Sequence, residues 1–202
     1  MLKGRGQHAP GPRSFDPVAV AGHECDAWVG YYRREWWRVL TAAVGLVHAG
    51  FGMSWPRTLS GAWLVLRANR AWAPYPANDP DAARELMRRF YDLVRRDRQL
   101  AIDPVEAARR EVEWWRIHRD RQRGSGDGAT LDDLVAALAH LYAYVYAVDE
   151  AAVTEAARQR AVAMDVSDEW VAAGCDPDDP RLAKERRHLV RSYSALLDAV
   201  SR

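Results

Sequence analysis

Apolar residues recur along most of this chain at spacings of three and four, the period of an amphipathic α-helix. Leu134, Leu138, Leu141, Val145 and Val148 form one such row, and Ala82, Leu86, Phe90 and Leu93 form another. Leu182, Leu189, Tyr193 and Leu196 form a third near the end of the chain. The nearest approach to strand alternation, Tyr142-Ala143-Tyr144-Val145-Tyr146, lies inside the first of these helical rows. Helix starts are marked by chemistry as well as by period. Asp-Pro occurs at 16–17, 79–80, 103–104 and 179–180, where Asp can cap an orphan N–H and Pro can fill the first helical position without losing a bond. Asp103 with Glu106 has the capping-box spacing, and Ser54, Thr130 and Asp149-Glu150 mark further starts, with a stop at Gly174. These signals predict an all-α bundle of about eight helices. The first long helix is expected over about 17–40.

The pattern also repeats. Phe15-Asp16-Pro17-Val18 returns as Ile102-Asp103-Pro104-Val105, and Ala21, Glu24, Trp28 and Tyr31-Tyr32 correspond to Ala108, Glu111, Trp115 and His118-Arg119. Asn78-Asp79-Pro80 returns as Asp178-Asp179-Pro180, and each copy then runs to an aromatic, Tyr91 or Tyr193. The expected organisation is a polar basic tail over 1–14, read as disordered, followed by one domain built from two tandem pseudo-equivalent halves, about 15–100 and 101–202. A Gly-rich linker near 123–129 accounts for part of the extra length of the second half.

Helical projection turns this duplication into a candidate site. The first helix puts Ala21, Cys25, Trp28, Tyr32, Trp36 and Val39 on one face, with Glu24, Tyr31 and Glu35 along its edge. The second copy puts Ala108, Val112 and Trp115 on the face, with Glu111, His118 and Gln122 along the edge. Arg119 falls in the middle of that apolar face. Packed face to face, the copies would enclose Glu24, Tyr31, Tyr32, Glu111, His118 and Arg119. The catalytic candidates are His118 as a base with Glu111 and Glu24 as its carboxylate partners, and the ligand-binding candidates are Arg119, Tyr31, Tyr32, Trp28 and Trp115. A competing structural reading makes Arg119 the counter-ion of both glutamates, a network that only fixes the packing.

Composition narrows the field. The 202 residues carry 29 Lys and Arg against 28 Asp and Glu, a net charge of +1, so no global field collects nucleic acid. The basic residues are nearly all Arg, with lysine only at Lys3 and Lys184, which codon bias explains. Nine Trp fit that bias less well, and helix-contact filling competes with a ligand wall as their role. Two Cys, Cys25 and Cys175, are too few for a disulfide framework or a thiolate metal site. The arginines between Arg84 and Arg123 are interspersed with acids, the pattern of a solvated helix face. Val39–Pro56 carries no formal charge, yet its glycines, Thr41, His48 and Ser54 favour a buried core helix and a turn over a spanning segment.

The expected function follows. The chain reads as a soluble cytoplasmic protein whose partly polar interior pocket binds a small molecule with an anionic group, with His118, Glu111 and Glu24 able to transform it. One alternative is a structural or interaction protein whose Trp-rich faces form a homodimer or dock a partner. A weaker one is a metal-dependent helical oxidase, for which Glu24, Glu85-x-x-Arg88, Glu111 and Glu185-x-x-His188 imitate a carboxylate-bridged site. Arg88 stands where that site needs a His, and surface ion pairs account better for Glu85 and Glu185. The sequence leaves any cofactor unidentified, and neither a nucleic-acid nor a membrane partner is expected.

Overall fold

A computed structural model of the protein describes residues 11–124 and 128–201. Among the described residues it contains eight α-helices and no strand: α1 (Pro17–Tyr32), α2 (Trp36–Phe51), α3 (Trp55–Trp72), α4 (Pro80–Arg98), α5 (Pro104–Arg123), α6 (Leu131–Tyr146), α7 (Glu150–Ala172) and α8 (Pro180–Val200). Asp16, Asp79, Asp103 and Asp179 all stand at N-caps in extended conformation, each accepting from a backbone N–H two or three residues on. A proline follows each at the first helical position, where its missing N–H was an orphan anyway. Thr130 and Asp133 close a capping box at the start of α6. The box expected at Asp103 does not form, because Glu106 is held by Arg109 and Arg110 at 2.7 Å. Two guanidinium groups outcompete a single backbone N–H for one carboxylate.

The single helix expected over 17–40 is two helices. Arg34 takes a left-handed conformation (φ 62°), and the Glu35 N–H donates to Gly30 O at 2.8 Å, ending α1 without a glycine or proline at the break. Such a conformation costs a non-glycine residue about 1–2 kcal/mol. It is offset by the Arg34 guanidinium lying 5.9 Å from the Tyr31 ring and 5.8 Å from that of Trp36. Gly30 permits the close return of the chain, since a Cβ there would meet Val39 N and Cγ2 at 3.1 Å. Trp36 and Val39 therefore belong to α2, and Glu35 stands at the N-cap position of that helix, its carboxylate held by Arg33, instead of lining the edge of α1.

Short connections make sequence neighbours into spatial neighbours. Each helix packs on the one before and the one after it, and α1 packs on α8, so the eight close into a ring. The inward faces surround a cavity of about 270 Å3 whose wall takes side chains from all eight helices. Leu134, Leu138, Val153, Met164 and Trp170 are among the large buried side chains, and Met164 lines the cavity. Phe15 is also buried, and Arg13 donates to Val200 O at 2.7 Å and to Tyr146 O. Residues 11–14 of the expected disordered tail are thus tied to the ends of α6 and α8, while residues 1–10 lie outside the described part. The uncharged run Val39–Pro56 splits into α2 and the start of α3, with Gly52 at the C-cap (φ 60°). Among the described residues no helix is long and apolar enough to cross a membrane.

The Thr130 box gives a test of the local logic. Thr130→Ala should lower stability by about 1 kcal/mol, read as a shifted urea midpoint with an unchanged slope.

Candidate ligand cavity

The interior polar groups are organised around one ion pair. Glu24 on α1 is 2% exposed and accepts from Arg160 on α7, with Arg160 Nε at 3.0 Å and Nη2 on the same oxygen. The other Glu24 oxygen accepts from the Tyr193 hydroxyl at 2.6 Å. Arg160 also donates to the Tyr142 hydroxyl at 3.3 Å and lies 4.8 Å from the Trp114 ring. Burial alone would lower the Arg160 pKa, but Glu24 and the surrounding phenols hold it well above the ordinary value.

Glu111 on α5 is the second interior carboxylate. It accepts from the Tyr91 hydroxyl at 2.7 Å and from Trp115 Nε1 at 3.1 Å. Burial raises its pKa, against the opposing pull of Arg160 and of these two donors. The two glutamates are served in a reciprocal way: Tyr193 of α8 bonds Glu24 of α1, and Tyr91 of α4 bonds Glu111 of α5. Burial also raises the pKa of both phenols well above the usual tyrosine value.

Arg119 does not occupy the place between the glutamates that the structural reading of the sequence gave it. Arg160 does. Arg119 instead donates to Trp72 O at 2.7 Å and to the Tyr31 hydroxyl at 3.4 Å, and its guanidinium lies 4.2 Å from the Trp72 ring. Its Nη1 is buried with no protein partner, and desolvation lowers its pKa. His118, one residue before, has Asp168 Oδ2 3.1 Å from its Nε2. Gln122 donates to Asp168 at 2.8 Å and to the Tyr32 hydroxyl at 3.3 Å. All eight residues singled out from the sequence, together with Arg160 and Tyr193, line the same cavity.

The His118 partner is therefore Asp168, where a glutamate was expected. Arg160, Asp168, Tyr142 and Tyr193 were not among the sequence candidates. Arg160 carried a legible signal: it stands four residues from both Ala156 and Met164, on an apolar face, the same anomaly that exposed Arg119. Asp168 continues that row by one more turn. Of the oxidase residues, Glu85 is bonded to Arg88 and Arg89 at 2.7–2.9 Å, and these pairs hold its pKa down to about 2. His188 Nδ1 lies 2.9 Å from Gln159 Oε1. No group of three or more metal-ligating side chains is assembled among the described residues.

Glu185 overturns its expected place at the surface. It is fully buried, and neither carboxyl oxygen finds a hydrogen-bond partner of normal geometry. Its polar surroundings are the Cys25 thiol and the Ser167 hydroxyl, with the Glu24 charge adding repulsion. Burial raises its pKa to about 7, and burial beside Glu185 pushes the Cys25 thiol up to about 12.

Two measurements follow from these charges. Arg160→Met leaves the Glu24 carboxylate buried without its counter-ion and should cost about 3–5 kcal/mol; adding Glu24→Gln should recover part of the loss in thermal unfolding. For Glu185, the native state keeps a proton between pH 4.5 and about 7 that the unfolded chain has released. Stability is therefore greatest below that window, falls as pH rises through it, and levels off above, by an amount on the order of 3 kcal/mol. Denaturant titrations at pH 5 and pH 8 should show Glu185→Gln removing this fall and exceeding the parent protein at pH 8.

Neither a protein family, nor a curated protein, nor a solved structure was found to match the chain.

Proposed function

We propose that the ring cavity binds a small molecule with an anionic group and a planar apolar body. The observation that carries this reading is Arg119, a half-buried guanidinium on the cavity wall with one buried, unpartnered nitrogen and no carboxylate bonded to it among the described residues. The Glu24–Arg160 pair balances its own charge. The Arg119 cation is free to hold a carboxylate or phosphate oxygen, a charge-assisted bond strengthened by the desolvated wall. Trp28, Trp72, Trp115 and Tyr31 supply the faces for the apolar body. The volume suits a molecule at or below the small end of the roughly 300–1,000 Å3 range of ligand pockets.

Within this proposal His118 is the proton-moving group, held by Asp168 much as a carboxylate orients a catalytic imidazole. Glu111 positions the Trp115 indole edge, and Glu24 fixes Arg160. The protein acts in the cytoplasm. The reciprocal bonds Tyr91–Glu111 and Tyr193–Glu24 support the further proposal that helices α1–α4 and α5–α8 are two copies of one unit. If so, Tyr91→Phe and Tyr193→Phe should each cost a similar 1–3 kcal/mol or so; one silent and one costly substitution would count against the equivalence.

The binding test uses 2-naphthoate, an aromatic carboxylate, with 2-naphthalenemethanol as its uncharged control. Calorimetry should show the acid binding at least about tenfold more tightly than the alcohol, and Arg119→Met removing that preference without unfolding the protein. Glu111→Gln should also abolish naphthoate binding with the fold intact. Equal binding of acid and alcohol, or an Arg119→Met variant that binds like the parent, would falsify the proposal.

A further inference from the structure

The hairpin of α2 and α3 turns an unusual face outward. Trp55, Leu59 and Trp63 recur every four residues along α3 and are 59%, 55% and 50% exposed. Trp37 on α2 is 77% exposed, and Thr41 and His48 continue its stripe. The His48 ring stacks on Trp55 at 4.3 Å, which joins the two stripes at the closed end of the hairpin. The three indoles alone present roughly 300–450 Å2, the size at which an exposed apolar patch marks an interaction surface.

Charge on this hairpin has one sign. From Trp36 to Asn78 the chain contains no Asp or Glu, while it contains Arg38, Arg57, Arg67 and Arg70. Arg38 and Arg57 are neutralised from outside, by Asp26 at 3.2 Å and by Asp97. Arg67 and Arg70 continue the Trp55-Leu59-Trp63 row and meet no carboxylate among the described residues. Arg34 joins them at that end, sharing the Trp36 ring with Arg70.

We propose that this face docks on a lipid bilayer carrying anionic headgroups, with Trp37, Trp55 and Trp63 at the headgroup–acyl boundary and Arg67 and Arg70 on the phosphates. Indoles favour that boundary because one edge is polar and the ring is apolar, and unpaired arginines add attraction to anionic lipid. Two other occupants fit less well. An isologous dimer would bring two acid-free faces together, setting arginines against arginines. A folded protein partner forms about one hydrogen bond per 100–200 Å2, but the hydroxyls of this face are spent on their own helices. Thr41 donates to Arg38 O at 3.0 Å and Ser60 to Pro56 O at 2.9 Å. An apolar phase bordered by phosphates asks for no such pattern. This mode of attachment needs no spanning segment, which is why the uncharged run at Val39–Pro56 gave no hint of it.

Sedimentation of the full-length protein with phosphatidylcholine vesicles, with and without phosphatidylglycerol, tests the proposal. Binding should require phosphatidylglycerol and weaken at high salt. Arg67→Gln with Arg70→Gln should reduce it about twenty-five-fold, at roughly fivefold per arginine. Trp37→Ser with Trp55→Ser and Trp63→Ser should abolish it with the helical circular dichroism unchanged. Acyl chains brominated near the headgroup should quench the tryptophan emission of the parent protein, a reading that depends on no variant. Failure of the parent protein to sediment with anionic vesicles overturns the proposal, as does sedimentation unaffected by the Trp substitutions. A concentration-dependent dimer dispersed by those substitutions assigns the face to a second copy of the chain instead.

Discussion

A carboxylate cannot be left alone inside a ring of apolar helices, and Glu24 is almost wholly buried. Its pairing with Arg160, 136 residues away, ties α1 to α7, the next helix but one around the ring. Tyr193 and Tyr142 complete the bonding, which brings α8 and α6 to the same point. The charge of Arg160 also acts on Glu111, although the direct bonds of Glu111 come from Tyr91 and Trp115. Five inward faces are thus registered by one guanidinium and the groups it satisfies. The ring closes as it does because any other rotation of α1 or α7 would strand a buried charge.

That arrangement partitions the remaining interior. One guanidinium is used up by Glu24, so Glu185, packed close by on α8, has none. It is kept neutral over the acidic range by burial and by the neighbouring Glu24 charge. Elsewhere on the cavity wall Arg119 bonds the Trp72 carbonyl and the Tyr31 hydroxyl and lies over the Trp72 ring. The cavity wall therefore carries Glu24 and Glu111 around Arg160, the Glu185 acid lies outside that wall near α1, and Arg119 lines the wall with no bonded carboxylate among the described residues. This asymmetry is what the proposed binding of an anionic ligand rests on.

The outer surface is divided by a related rule. On α4 and α5 most acids are matched by an arginine three or four residues on, as with Glu85 and Arg88, Glu106 and Arg109, or Glu113 and Arg116. Such pairs solvate a helix and add only tenths of a kcal/mol each. On α2 and α3 the acids are absent and tryptophans take their places. The two sides of one ring consequently meet their surroundings on different terms, one as a neutral polar shell and the other as an apolar face edged with unpaired charge.

Helix starts lay open in the sequence because a cap is local: Asp and Pro at adjacent positions act on the next turn whatever the rest of the chain does. The all-α class and the set of residues around Glu24, Glu111 and Arg119 were legible for a similar reason, since a polar residue out of step with an apolar row shows in one helix alone. The break at Arg34 was not legible, because no Gly or Pro marks it and it depends on Val39 returning against Gly30. Nor was the partner of each charge. Arg160 and Arg119 look alike on a helical wheel, and only the closing of the ring decided that one would face Glu24 and the other none. Glu185 and the α3 tryptophans make the same point from opposite sides. Helical spacing determines which residues share a face, but whether that face meets a neighbouring helix or open solvent depends on contacts between residues far apart in the chain.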